Sequence, residues 1–245
     1  MSSFNTNSVV LVESWDEKRN EFGSGFVVHQ DSLSTYIITC AHVVKDVGGL
    51  DNIKVSGKYK AQVIAQGSSF DIAILKVDTK LTSNPPLRVC TCQEPEGRFV
   101  IPGWFDYGFN SKIILPIYGS LIATGETEED SFRVETHIFE VDTDSKHHLT
   151  DGYSGSPLIH ERSGCVLGIV YQCKSGTTGP CLSVKAAKKI CAQIPDLKSL
   201  SLLTSYREQL KDFLSQKLKI ENEILSLEQK IRAVRMQLDG ETRNE

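Results

Sequence analysis

The chain of 245 residues lacks most of what would place it outside the ordinary globular class. It has no uncharged apolar window of the roughly 18 residues that a membrane-spanning helix needs. Its N-terminus, MSSFNTNSVVLVESWDEKRN, has no basic region followed by a long apolar run, the mark of an export signal. A soluble, cytoplasmic protein is therefore expected, with no membrane partner. Cationic excess is also missing: 27 Lys and Arg stand against 31 Asp and Glu, a net charge of -4, so nucleic acid is not an expected partner. The seven cysteines (40, 90, 92, 165, 173, 181 and 191) are odd in number and follow no regular framework. A chain of this size does not need disulfide staples, so reduced thiols are expected, Cys173 and Cys181 being a pair that could close a loop on oxidation. Cys90 and Cys92 have no second pair at zinc-ligand spacing, and neither metal nor cofactor is expected.

What the chain does contain is β-structure. From residue 8 to about 183, short runs rich in Val, Ile, Tyr and Phe alternate with turn residues, among them VVLVES, GFVVH, TYIITCAHVV, DIAILKV, FRVETHIFEV and CVLGIVYQC. Strands at this spacing predict an all-β barrel or sandwich. The stretch 82–97, TSNPPLRVCTCQEPEG, interrupts the pattern with three prolines and reads as the connection between two halves, about 8–81 and about 98–183. Val184, Ala187, Cys191 and Ile194 then recur at helical spacing until Pro195 ends a short closing helix over 184–194.

Gly and Pro are absent between Pro195 and Gly240. There Leu203, Tyr206, Leu210, Phe213, Lys217, Ile220, Ile224, Leu227, Ile231, Val234 and Leu238 follow steps of three and four, a heptad seam that predicts a coiled coil over 199–239. At 1.5 Å per residue the seam is a rod of roughly 50 to 55 Å, too long for a small β domain to bury. In a parallel self-dimer Glu223 would face Glu228 and Lys230 would face Arg235, and both pairs repel. The expected partner is an antiparallel copy of the chain or a different protein.

The stretch DGYSGSP, Asp151 to Pro157, has the composition of a surface turn, yet it carries Ser154 between glycines. A serine nucleophile needs a base within hydrogen-bond reach, a carboxylate to orient that base, and donors aimed at the developing oxyanion. His42 stands at the end of the apolar run IITCA, where a lone histidine is most often structural. Asp71 opens DIAILKV, where a carboxylate is costly unless it is paired, and His42 is a candidate partner. The chain order His, Asp, Ser is one of those in which this geometry recurs.

Five stretches, GSGFVV (23–28), TCAHVV (39–44), DIAILKV (71–77), GYSGSP (152–157) and LGIVY (167–171), resemble in order and spacing the trypsin/chymotrypsin-like serine proteases, most of all their bacterial, Deg-like branch. The resemblance covers about residues 8 to 195. It implies two antiparallel six-stranded β-barrels with the site between them. It also implies Ser154 as nucleophile, His42 as general base, Asp71 as its orienter, and an oxyanion hole made by the N–H groups of Gly152 and Ser154. The specificity pocket would fall at His148, Tyr171, Gln172 and Cys173.

Two departures matter. Tyr153 stands where the digestive branch has the Asp that pairs with a new N-terminal amine, so activation by removal of a pro-segment is not expected. The cystine beside the family's histidine is also missing, Val43 following His42. The expected function is an intracellular serine endopeptidase, without cofactor, acting on protein or peptide substrates and directed through the coiled coil, in a bacterial signalling or defence setting. A catalytically silent peptide-binding scaffold is the alternative.

Overall fold

A computed structural model describes residues 5–67, 70–89, 97–108, 111–129, 132–145, 147–171, 176–191, 214 and 216–232. The chain divides into two compact units, Met1–Ser201 and Leu202–Glu245. In the first unit, β1 (Val9–Ser14), β2 (Phe22–Gln30), β3 (Thr35–Thr39), β4 (Ile53–Val55), β5 (Tyr59–Lys60), β6 (Gln62–Gln66) and β7 (Ala73–Val77) form one sheet, with the short helix α1 (Ala41–Asp46) leaving β3. A second sheet holds β8 (Arg88–Val89), β9 (Arg98–Asp106), β10 (Lys112–Glu129), β11 (Phe132–Val141), β12 (Pro157–His160), β13 (Cys165–Val170) and β14 (Thr178–Ser183), followed by α2 (Val184–Cys191).

The strand order of the first sheet is β5-β4-β1-β2-β3-β7-β6, and Ala61, between β5 and β6, donates its N–H to the Ile53 carbonyl, which curls the far edge back toward β4. The second sheet runs β12-β9-β10-β11-β14-β13-β8, and a further pairing of β12 with β13 closes six of its strands into a ring. Each barrel-like sheet thus has seven strands where six are expected. The additional strands are two-residue edge pairings, β5 and β8. β8 lies inside the Pro-rich stretch read as a plain connection and pairs parallel to β13, Arg88 beside Cys165.

Burial follows the apolar runs. Five of the six residues of β1 and all of β3 are buried, as expected of short continuous Val/Ile-rich strands covered on both faces. Val10, Phe26, Ile37 and Ile74 belong to one core cluster, and Val184, Ala187 and Ile190 of α2 reach back to that same cluster. Phe99, Ile101, Ile117 and Phe139 centre a second cluster.

Cys40 and Cys181 are buried and not disulfide-bonded, which removes the Cys173–Cys181 pairing. Cys165 is disulfide-bonded, to a partner whose side chain lies outside those described, so the expectation of a wholly reduced set does not hold there. In the second unit the described residues 216–232 are helical, with Ile220, Ile224, Leu227 and Ile231 each more than half exposed. Lys217 pairs with Glu221 one turn on, at 3.6 Å. Most of the remaining predicted seam, 203–213 and 233–238, lies outside the described residues. No described helix is long and apolar enough to cross a membrane.

Candidate active site

Strand register explains why His42 and Asp71 meet. Thr39, the last residue of β3, lies opposite Ala73, the first of β7, so the residues just after the one strand and just before the other share an end of the sheet. Cys40 turns the chain into α1, and Val43, Val44 and Val47 bury that helix's inner face, which fixes the first-turn imidazole in place. Asp71 then grips His42 twice. One carboxylate oxygen accepts the His42 backbone N–H at 2.8 Å, and the other lies 2.5 Å from Nδ1. With the Nδ1 proton held by the carboxylate, Nε2 carries the lone pair in the neutral ring. The Asp71 hydrogen bond holds the imidazole above its ordinary pKa against the opposing effect of burial, and the charges of Asp71, Asp46 and Asp151 add to it.

Ser154 follows a single 3₁₀ turn, Asp151–Tyr153, and is 5% exposed. Its turn is held from two directions. Tyr153 is fully buried in the second core cluster and its hydroxyl donates to the Leu115 carbonyl at 3.0 Å. From the other barrel, Ser24 on β2 donates its N–H to the Ser154 carbonyl and its hydroxyl to the Gly152 carbonyl, each at 2.8 Å, while that hydroxyl accepts the Trp104 N–H at 2.9 Å. Gly155 has φ +87°, and a Cβ there would lie 1.9 Å from the Ser24 carbonyl oxygen, so no larger residue fits beside Ser154.

His42 and Ser154 face one cavity of about 420 Å³, lined also by Asn20, Glu21, Phe22, Val43, Asp46 and Asp151. One of the two N–H groups expected to form the oxyanion hole is engaged within its own turn. The Ser154 N–H donates to the Asp151 carbonyl at 3.1 Å, closing the 3₁₀ turn. Among the described residues no hydrogen bond joins the His42 ring to Ser154.

The expected specificity residues stand apart from this cavity. His148 is exposed and lies against Gly176, while Tyr171 packs on the first core cluster, and neither lines this cavity. Gln172 and Cys173 lie outside the described residues. One group of potential metal ligands stands among the described residues: Cys40, His42 and Asp71, whose donor atoms lie within 4.8 Å of one another. Thiol, imidazole and carboxylate suit zinc, but the Cys40 thiol donates to the Val170 carbonyl at 3.2 Å and the other two bind each other.

Ser24 was not legible as a site residue, since a serine between glycines in a strand has no distinctive signal. The acidic wall of Glu21, Asp46 and Asp151 was missed because its members sit on three separate segments.

Comparison with known proteins agrees with this architecture. Rv3671c of M. tuberculosis H37Rv, solved as a serine-to-alanine mutant in an inactive form, is 24% identical with a TM-score of 0.58, over 78% of this chain and 87% of that one. The active form of the Rv3671c protease is 25% identical with the same TM-score of 0.58, over 78% and 82% of the two chains. Among curated proteins no match was found. The trypsin-like peptidase domain matches residues 23–169, more than half of the chain. The chain therefore belongs to the trypsin-like peptidases, serine hydrolases of the peptide bond.

Proposed function

We propose that the chain is an endopeptidase in which Ser154 is the nucleophile, His42 the base and Asp71 the residue that orients it. The observation that carries this reading is the double grip of Asp71 on the His42 backbone and ring, with Ser154 on the same cavity. In turnover Ser154 Oγ attacks the substrate carbonyl as His42 Nε2 takes its proton. The tetrahedral intermediate collapses as His42 returns the proton to the leaving amine, and water then releases the acyl group by the same route.

The closed 3₁₀ turn bears on control. The Ser154 N–H must leave the Asp151 carbonyl before it can stabilise an oxyanion, and rotation of the Asp151–Gly152 peptide achieves this, with Gly152 giving the backbone the freedom to rotate. Substrate binding or a partner would drive that rotation, in place of an N-terminal amine. The helical segment after residue 201 is read as the tether for such a partner, an antiparallel copy or another protein. A cytoplasmic setting agrees with the thiols kept at Cys40 and Cys181 and is opposed by the Cys165 disulfide.

The same closed turn favours the second reading, a peptide-binding scaffold that does not turn over. A fluorophosphonate probe separates them. Labelling of wild type but not of Ser154→Ala supports the peptidase, and no labelling under any condition, bound peptide included, supports the scaffold.

A further inference from the structure

The cavity beside Ser154 is built unevenly. Apart from Asp151 and Ser154 its walls come from the first barrel: the approach to β2 (Asn20, Glu21, Phe22) and the helix that carries His42 (Val43, Asp46). In acyl transfer the departing amine must lie against the group that protonates it, which on the reading above is His42. The substrate chain that follows the scissile bond therefore leaves over α1 and enters this cavity. A second observation points to a ligand here: Ser154 is 5% exposed, and among the described residues its hydroxyl has no hydrogen-bond partner.

The chemistry of the walls is one-sided. Glu21, Asp46 and Asp151 are exposed at the cavity, no Lys or Arg lines it, and among the described residues no ion pair involves any of the three carboxylates. Two cations lie near. Arg19 pairs with Asp16 at 4.0 Å and donates to the Asp46 backbone carbonyl at 3.3 Å. Lys112 sits 4.8 Å from the Phe22 ring centre and pairs with Glu13 at 3.3 Å. Both are engaged by carboxylates outside the cavity. Phe22 and Val43 add an apolar wall, so the space suits a long aliphatic stem carrying a positive head.

We propose that this cavity seats the side chain of the residue directly after the scissile bond and selects lysine or arginine there, with Glu21 and Asp46 as the specificity-determining residues. The proposal rests on the endopeptidase reading and adds the chemical class of its substrate on the leaving-group side. An exposed carboxylate favours a cation by a factor of about 2.3 and disfavours an anion similarly, so two of them predict lysine over glutamate by about thirtyfold.

The test is digestion of a proteome-derived peptide library by the full-length protein, with sequencing of the new N-termini and Ser154→Ala as background. Lysine and arginine should be enriched at the first position of the new termini. The Glu21→Gln/Asp46→Asn double variant, checked for folding by its thermal melt, should lose the enrichment. On the best peptide, the kcat/KM preference for lysine over glutamate at that position should be about thirtyfold greater in wild type than in the double variant. The ratio should also shrink as salt is raised to 0.5 M, where the Debye length falls to about 4 Å. New termini without basic enrichment, or enrichment that survives in the double variant, overturn the subsite and leave the peptidase standing. No new termini above background overturn both.

Discussion

Replacing Asp71 with asparagine changes one functional group and leaves the volume of the side chain almost untouched, which makes it the sharpest probe of the site. In the native arrangement the two carboxylate oxygens accept from two different N–H groups of His42. Asparagine keeps one acceptor and turns the other into a donor. If the amide oxygen stays on the backbone N–H, its NH₂ faces Nδ1, which must then present a lone pair, and the ring proton moves to Nε2, where it faces Ser154. The base is lost without loss of the residue. In the general Ser-His-Asp arrangement this wrong tautomer costs about 10⁴ in kcat, about 5.4 kcal/mol of transition-state stabilisation at 1.36 per decade. A second signature accompanies it. The carboxylate is the main cause of the raised His42 pKa, and burial opposes it, so without the carboxylate the acidic limb of kcat/KM moves to lower pH. The assay is the pH profile of peptide hydrolysis by both proteins. Retention of activity within tenfold, or an acidic limb that does not move, refutes the role assigned to Asp71.

Three further outcomes are expected. His42 has a raised folded pKa, so its contribution to stability is fully present below the unfolded value of about 6.5 and is lost as pH rises through the folded one. Urea midpoints of wild type and Asp71→Asn should therefore converge as pH rises. The comparison isolates His42 because His137, which burial depresses, titrates in both proteins; a gap independent of pH contradicts the linkage. Gly155→Ala meets the Ser24 carbonyl and an unfavourable φ together, and should cost about 2 to 5 kcal/mol in chemical denaturation; a loss under 1 kcal/mol would count against the close approach. Truncation after Ser201 removes none of the residues of the two core clusters, so the melting temperature of the first unit should change by less than about 3 °C, and a larger fall would show that the helical segment is part of the fold.

The legible parts of this molecule were those where a residue type conflicted with its surroundings. A carboxylate opening an apolar strand demanded a partner, and strand register supplies it by placing the ends of β3 and β7 together. The closing helix was readable from its spacing, and Val184–Cys191 of it is helical in the described residues. The strands β5 and β8 were not readable, because two residues carry no periodicity and pair only when tertiary contact brings an edge to them. The direction of the Asp151–Gly152 peptide was equally hidden, since glycine permits either orientation and only the hydrogen bond from Ser154 selects one.

The hydrogen bonds around Ser24 have a consequence for how the protein comes apart. Ser24 belongs to the first barrel, while the carbonyls of Ser154 and Gly152 and the N–H of Trp104 belong to the second. Cys40 adds a fourth bond in the same sense by donating to Val170. The seam between barrels is thus tied at the turn that carries the nucleophile, so the two halves cannot separate, even briefly, without releasing it. Opening of the cleft and loss of the reactive serine become one cooperative event, and the amide of Ser24 should exchange with solvent hydrogen at the rate of that event rather than with local fraying.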